Sequence, residues 1–160
     1  MSVQCGYAAL KAEFQFQYYK SNKPSLRDRT FAGITKQNAM ASKVPGLSRF
    51  VMQNKFTSRI AKEILGVAVE RELPAVGKTT LKKYYLANKE TLKVQNPVRT
   101  VYLFNDEFTN YLDVEVGIDA LKLLSRLGYQ VKMIDHPESG RSYLSKGFLG
   151  EAKKLANENI

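Results

Sequence analysis

The strongest constraint on the fold is a strand, helix, strand pattern between residues 98 and 135. The run VRTVYLFND is apolar in its second half and ends in Asn-Asp, which is typical of a buried parallel strand that opens into a loop. Apolar residues then recur at helical spacing up to a stop at Gly128, at Val116, Ala120, Leu121, Leu124 and Leu127. The run VKMID follows as a second strand. Together these segments predict a parallel, Rossmann-like βαβ unit with a right-handed crossover.

Short helices are predicted before this unit. Residues 8–20 carry apolar side chains at helical spacing, which predicts an amphipathic helix with Leu10, Phe14 and Tyr18 along one stripe. Pro24-Ser25 predicts a break and a new helix whose inward positions are Leu26, Phe31 and Ile34.

A further boundary is marked by Pro45-Gly46. Beyond it, Thr57 is predicted to cap a helix that ends at Gly66 and carries an apolar stripe of Ile60, Ile64 and Leu65. This region therefore predicts several short helices rather than a compact bundle.

Residues 70–97 carry weak signals and predict an irregular connector. Gly77-Lys78-Thr79 resembles the end of a phosphate-binding loop, but Glu72 occupies the position of the required first glycine and Pro74 interrupts the approach. We interpret this match as a coincidence and expect Thr79 or Thr80 to cap a helix start.

The chain is thus predicted to be α/β, with a helical segment over residues 1–69, a connector over 70–97 and a partial α/β domain over 98–160. Helix returns from Ser142 onward, with an interruption near Gly147. Two strands alone do not make a stable parallel sheet, so we expect an incomplete domain.

Charge divides the chain into unequal parts. Residues 1–97 carry 17 Lys or Arg against 6 Asp or Glu, and residues 98–160 carry 8 against 9. The basic part could be a binding module for nucleic acid or an acidic protein partner. No groove-reading motif accompanies the charges, so nucleic acid is the less favoured partner and a solvated or docking face is preferred.

Composition also bears on the compartment. One cysteine excludes an internal disulfide, and no apolar run reaches the length needed to span a bilayer. We expect a cytoplasmic protein without a transmembrane segment, with peripheral attachment to the inner face of the membrane as an option.

The candidate site lies at the two strand ends, because ligands of open α/β folds bind beyond the carboxyl ends of parallel strands. These ends carry Asn105, Asp106 and Glu107, and the segment DHPESGR at residues 135–141. Gly140 and Arg141 could hold an anion through backbone N–H groups and a guanidinium. The alternative, which we prefer, is that Arg141 pairs internally with the acidic side chains, including Glu138.

The stretches LKAEF, LRDR, FNDEFTNY and SGRSYLSKGFL resemble the cysteine-rich domain of iron–sulfur oxidoreductases. This domain occurs in glycolate oxidase iron–sulfur subunits and at the C-terminus of fused FAD-linked D-lactate or 2-hydroxyacid dehydrogenases. The resemblance implies a fragment of the electron-transfer half of such an enzyme, acting on a 2-hydroxy acid such as D-lactate or glycolate. It also implies upstream FAD and ferredoxin-like domains or subunits as partners, and FAD and a 4Fe–4S cluster in the full-length protein.

Two positions depart from the family pattern. Relatives commonly carry Cys-Cys-Gly where this chain has Glu138-Ser139-Gly140, and oxygen ligands do not suit iron–sulfur clusters. Cys5 falls roughly where the last ferredoxin cysteine would be, but no Cys-x-x-Cys precedes it, so it is at most one metal ligand. We expect the isolated chain to bind no cofactor, and we expect neither His136 nor Ser139 to be catalytic.

Overall fold

A computed structural model describes residues 6–160, so the predicted metal ligand Cys5 lies outside the described residues. The described part is mostly helical and contains one small parallel sheet. Its elements are α1 (Tyr7–Ser21), α2 (Leu26–Ala32), α3 (Ile34–Ala41), α4 (Pro45–Gln53), α5 (Lys55–Leu65), α6 (Leu81–Ala87), β1 (Arg99–Tyr102), α7 (Glu107–Tyr111), α8 (Val114–Arg126), β2 (Tyr129–Lys132), α9 (Arg141–Ser145) and α10 (Leu149–Asn159). This confirms the predicted α/β class. No helix within residues 6–160 combines the length and the apolar character that crossing a bilayer requires.

The sheet pairs β1 with β2 in parallel, in a register that runs from Arg99 opposite Tyr129 to Tyr102 opposite Lys132. The helix α8 connects the two strands, as the sequence predicts, and packs against β2. The core forms where α6, α8 and β2 meet, and its buried members are Leu81, Tyr85, Leu92, Val114, Ile118, Leu121 and Val131.

The prediction of a fully buried first strand is wrong. Tyr102 is exposed on β1, and Phe104 is exposed just beyond it. The buried stripe of α8 also differs from the predicted one, since Val116 is exposed whereas Val114 and Ile118 are buried.

The prediction that residues 70–97 are irregular is also corrected, because α6 lies within them. Thr80 caps α6 by accepting a hydrogen bond from the backbone N–H of Lys83, as one of the two predicted caps. The helix that follows places Leu81 and Tyr85 in the core, and the Tyr85 hydroxyl donates to the carbonyl of Val131 over 3.3 Å. Residues 70–97 are therefore part of the packed α/β unit, because α6 covers the sheet together with α8.

In α1 the helix is confirmed, but its predicted stripe of Leu10, Phe14 and Tyr18 is exposed. The side that packs is centred on Ala12 and includes the half-buried Phe16 and Tyr19. Tyr19 lies 5.6 Å from Phe148, measured between ring centroids. The predicted stripe is therefore the exposed side of the helix, and the packed side carries Phe16 and Tyr19 instead.

The buried positions near α2 and the N-terminal cap of α5 also differ in part from the prediction. Leu26 is exposed, whereas Phe31 and Ile34 are half-buried as predicted. Asn54, and not Thr57, caps α5 by accepting from the N–H groups of the first turn, because the residue that precedes the helix is the asparagine. The helix ends at Gly66 as expected.

The two ends of the chain meet where α1 and α2 lie against α9 and α10. Gly147 separates α9 from α10 at the predicted interruption, with φ of 75°. A Cβ at this position would lie 2.5 Å from the Cβ of Gln15 and 3.0 Å from the backbone nitrogen of Phe16. The site needs glycine for both its conformation and its close approach to α1.

Candidate functional site

The two strand-end loops are neighbours, as their parallel pairing predicts. The backbone N–H of Asn105, after β1, donates to Nε2 of His136, after β2, over 3.1 Å. Nδ1 of His136 lies 2.7 Å from the carbonyl of Pro137, to which it donates. The ring also stacks on Phe104 with a centroid distance of 3.9 Å. Because both ring nitrogens are engaged, His136 joins the two loops.

Glu107 organises the second loop from a buried position. Its side chain is 1% exposed, and its two carboxylate oxygens accept from the hydroxyl and the backbone N–H of Ser139 over 2.8 and 3.1 Å. Nε of Arg141 lies 3.7 Å from the same carboxylate. The sequence placed Glu107 at the strand end, but its bonds to Ser139, 32 residues away, carry no local signal.

Arg141 pairs internally, which is the alternative that the sequence analysis preferred. One terminal nitrogen donates to Asp106 over 3.2 Å, and the guanidinium carbon lies 4.3 Å from the centroid of the Phe108 ring. Asp106 at the same time caps α7 by accepting from the N–H groups of Phe108 and Thr109. Two carboxylates therefore contact the guanidinium, while the Arg141 side chain stays 55% exposed.

The remaining predicted residues support the shape of the loop. Gly140 has φ of 77°, and a Cβ there would lie 3.3 Å from the Cβ of Leu155. The carbonyl of Glu138 accepts from Nδ2 of Asn159 over 3.1 Å. Its carboxylate oxygen Oε2 is buried without a hydrogen-bond partner in the described chain, as is Oδ1 of Asn105.

A cleft of about 310 Å³ opens beside these loops. Lys82 and Asp135 pair over 2.7 Å where they line it, and this ion pair lowers the pKa of Asp135. Asn110 also lines the cleft and accepts from Nδ2 of Asn105 and the backbone N–H of Lys82. Sequence reasoning missed Lys82 and Asn110, since pairs 53 and 28 residues apart carry no local signal.

The loop does not fit an iron–sulfur cluster. Glu138 and Ser139 present oxygen atoms, which do not suit iron–sulfur clusters, and Ser139 is already bonded to Glu107. Residues 6–160 also contain no group of three or more His, Cys, Asp or Glu side chains arranged to hold a metal ion. What this arrangement provides chemically is a fixed, hydrogen-bonded edge at the strand ends.

The chain is similar to three curated proteins named D-2-hydroxyglutarate dehydrogenase. Over 170 residues it is 23% identical to the protein of Escherichia coli and 24% identical to that of Pantoea ananatis, covering 98% of this chain in each case. Over 158 residues it is 23% identical to the protein of Pseudomonas putida.

The matched segment makes up 16% of the first two relatives, so the chain spans about a sixth of their length. No protein-family model matches the chain, and no solved structure matches it. The names of these relatives are those of dehydrogenases of a 2-hydroxy acid, the class of enzyme that the resemblance implies for the whole protein.

Proposed function

We propose that the chain is part of an FAD-linked dehydrogenase that oxidises a D-2-hydroxy acid, and that it lies in the electron-transfer half of that enzyme. One observation carries this proposal: the similarity to D-2-hydroxyglutarate dehydrogenases extends over 98% of the chain. D-2-hydroxyglutarate is the proposed substrate of the whole protein, with D-lactate and glycolate as the alternatives.

Within such an enzyme, we assign residues 98–160 to a cysteine-rich-type α/β domain that has lost its thiol ligands. Glu107, Ser139 and Arg141 hold its strand-end loop through hydrogen bonds and charge. FAD and any iron–sulfur cluster would then be bound by upstream domains or subunits in the cytoplasm. The role of this chain is to present a fixed edge to those domains.

The proposal can be tested by purifying the chain from its source cells through a chromosomal affinity tag. We expect FAD to co-purify in constant ratio to the chain, measured by its fluorescence after denaturation. The same preparation should reduce the dye 2,6-dichlorophenolindophenol when D-2-hydroxyglutarate is added. L-2-hydroxyglutarate is the matched control, and D-lactate and glycolate rank the substrates.

Two results together would contradict the proposal. One is a preparation without flavin or dye reduction, and the other is unchanged D-2-hydroxyglutarate oxidation in cells from which the coding segment has been deleted. A preparation that is active with D-lactate alone would keep the dehydrogenase and correct its substrate.

A second candidate is a binding module for an acidic protein partner. The observation that favours it is the charge of residues 1–97, which carry 17 basic against 6 acidic side chains. Binding to such a partner should weaken steeply as salt rises, because exposed charges are screened. A co-purifying partner whose retention is the same at low and high salt would argue against this candidate.

A further inference from the structure

One face of α5 gathers cationic side chains around a cavity. Lys55, Ser58, Arg59 and Lys62 follow the spacing i, i+3, i+4, i+7 and therefore share this face. The four line a surface cavity of about 470 Å³, together with Phe56 and Val69. This cavity is remote in sequence from the strand-end loops, and none of its lining residues takes part in the proposed function.

Lys62 is the unusual cation of the group, because it is 8% exposed and only Ser58 is also buried on this helix among the described residues. Its ammonium donates one hydrogen bond, to the carbonyl of Val69 over 2.9 Å. Among residues 6–160, no carboxylate oxygen lies within 4.0 Å of this ammonium. Lys62 therefore carries a charge with one neutral hydrogen-bond partner and no counter-charge among the described residues.

Ser58 supplies a hydroxyl in the same wall. It is 7% exposed, and its backbone N–H is used by the carbonyl of Asn54. The side-chain hydrogen bonds of the described residues include none made by the Ser58 hydroxyl. The hydroxyl and the ammonium of Lys62 thus leave donors free one helical turn apart.

The charge of the cavity is positive. Of its lining residues, Lys55, Arg59 and Lys62 are cationic and none is acidic. Arg59 pairs through Nε with Glu63, at the exposed side of the helix, which leaves its terminal nitrogens available. An adjoining cavity of about 680 Å³ shares Lys55, Ser58, Lys62 and Val69 with this one. It is also lined by Glu70 and Glu72, which form no ion pair with these cations among the described residues.

We propose that this cavity binds a phosphate group. A phosphate offers several acceptor oxygens and close to two negative charges, which match two ammonium groups, a guanidinium and a hydroxyl better than a single carboxylate does. Bound there, it supplies the counter-charge that Lys62 lacks. The group could belong to a free phosphorylated molecule or to a lipid headgroup, because Phe56 is exposed beside the cavity.

The test measures phosphate binding by isothermal titration of the full chain at low salt, with inorganic phosphate and pyrophosphate as probes. We expect saturable binding with one site per chain. Ser58→Ala and Lys62→Met should each raise Kd by about tenfold or more, since each removes a hydrogen bond to a charged group. Lys154→Met is the control, because it removes the same charge from an exposed position on α10.

Sedimentation with vesicles separates the two sources of phosphate. Co-sedimentation with phosphatidylglycerol vesicles but not phosphatidylcholine vesicles, lost in Lys62→Met, would assign the site to a lipid headgroup. Binding of pyrophosphate without co-sedimentation would assign it to a free ligand.

No binding of any of these probes at millimolar concentration would overturn the proposal. Equal weakening by Lys62→Met and Lys154→Met would also overturn it, because the effect would then be one of net charge. Ser58→Ala and Lys55→Met keep the test decisive if Lys62→Met fails to fold. The proposed dehydrogenase role does not depend on any of these results.

Discussion

The α/β part and the helical part of this chain are held together in different ways. Around the sheet, seven apolar side chains are buried in one cluster. In α1 to α5, the buried apolar residues are only Ala12 and Ala32 among those described. Large apolar side chains of these helices are exposed instead, among them Leu10, Phe14, Leu47, Phe50, Phe56 and Ile64.

This difference shows that helix formation and core formation are separate properties of the chain. The first five helices follow from local signals such as Ser25 and Asn54 at helix starts and Gly66 at a helix end. Their apolar side chains, however, contribute little to a core of their own. The helical part is attached to the α/β part through contacts of α1 and α2 with α9 and α10, including the ion pair of Asp28 with Lys146 at 3.3 Å.

The largest effect is expected from truncation in the core. Leu121→Ala removes a side chain with no exposed surface and should lower the free energy of unfolding by about 2–5 kcal/mol. Phe14→Ala is the control from the other part, where 70% of the side chain is exposed, and should change it by less than about 0.5 kcal/mol. Urea denaturation followed by circular dichroism measures both. Equal losses would show that α1 also belongs to a core.

Two glycines, one packed closely and one in open space, test the same difference between core and surface. A Cβ on Gly117 of α8 would clash with Leu81 and with Thr109, so Gly117→Ala should destabilise the chain by about 1–3 kcal/mol. Gly150 in α10 has nothing within 4 Å of the added Cβ. Gly150→Ala should therefore stabilise by up to about 1 kcal/mol, because alanine favours helix. Thermal melts that moved both variants in one direction would contradict this packing.

At the strand-end site, Glu107→Gln should cost about 1–3 kcal/mol of unfolding free energy, because the buried carboxylate accepts from Ser139 and faces Arg141. Ser139→Ala removes only the hydroxyl and should cost about 1 kcal/mol. Hydrogen exchange in Glu107→Gln should be accelerated more at the Ser139 amide than at Val131 in the core, where the increase is limited to the loss of global stability. Unchanged exchange at both amides would mean that Glu107 does not hold the loop.

Much of the fold could be predicted from the sequence, because strand and helix signals between residues 98 and 135 are local. The parallel pairing brings Asn105 and Asp106 to the same edge as Ser139 and Arg141, as predicted. The role of α6 could not be predicted, since its burial depends on contacts of Tyr85 with a strand 46 residues away. Periodicity shows that a helix has an apolar face but not which face packs against another element. For that reason the predicted buried stripe of α1 is wrong, although the helix itself is confirmed.

The ion pair of Asp28 and Lys146, which joins the helical part to the α/β part, should contribute less to stability as the pH falls. The pKa of Asp28 is held below its ordinary value of 3.8 mainly by a hydrogen bond from Ser25, and further by Tyr19 and Lys146. A carboxyl with a lowered pKa in the folded state contributes stability that is present above pH 3.8 and lost as the pH falls below it. Asp28→Asn should therefore cost about 1 kcal/mol at pH 6 and almost nothing near pH 2.

Denaturant titrations of wild type and Asp28→Asn across that pH range check this expectation. Ser25→Ala should lower the stability in the same direction, because it removes the first of the three hydrogen bonds. A constant difference between wild type and Asp28→Asn at every pH would show that the carboxylate charge is not what joins the parts.

The smallest effect is expected at the rim of the strand-end cleft. Lys82 lowers the pKa of Asp135 through a hydrogen bond and its charge, but the side chains are 51% and 86% exposed. Lys82→Met should return the pKa of Asp135 to its ordinary range, measured by carboxyl NMR titration, without moving the urea midpoint. A large drop in stability would show that this pair supports the core as Leu121 does. The exposed pair would then contribute to stability as the buried cluster does. The exposed side of α6, which carries Lys82, would have to be counted as part of the packed core.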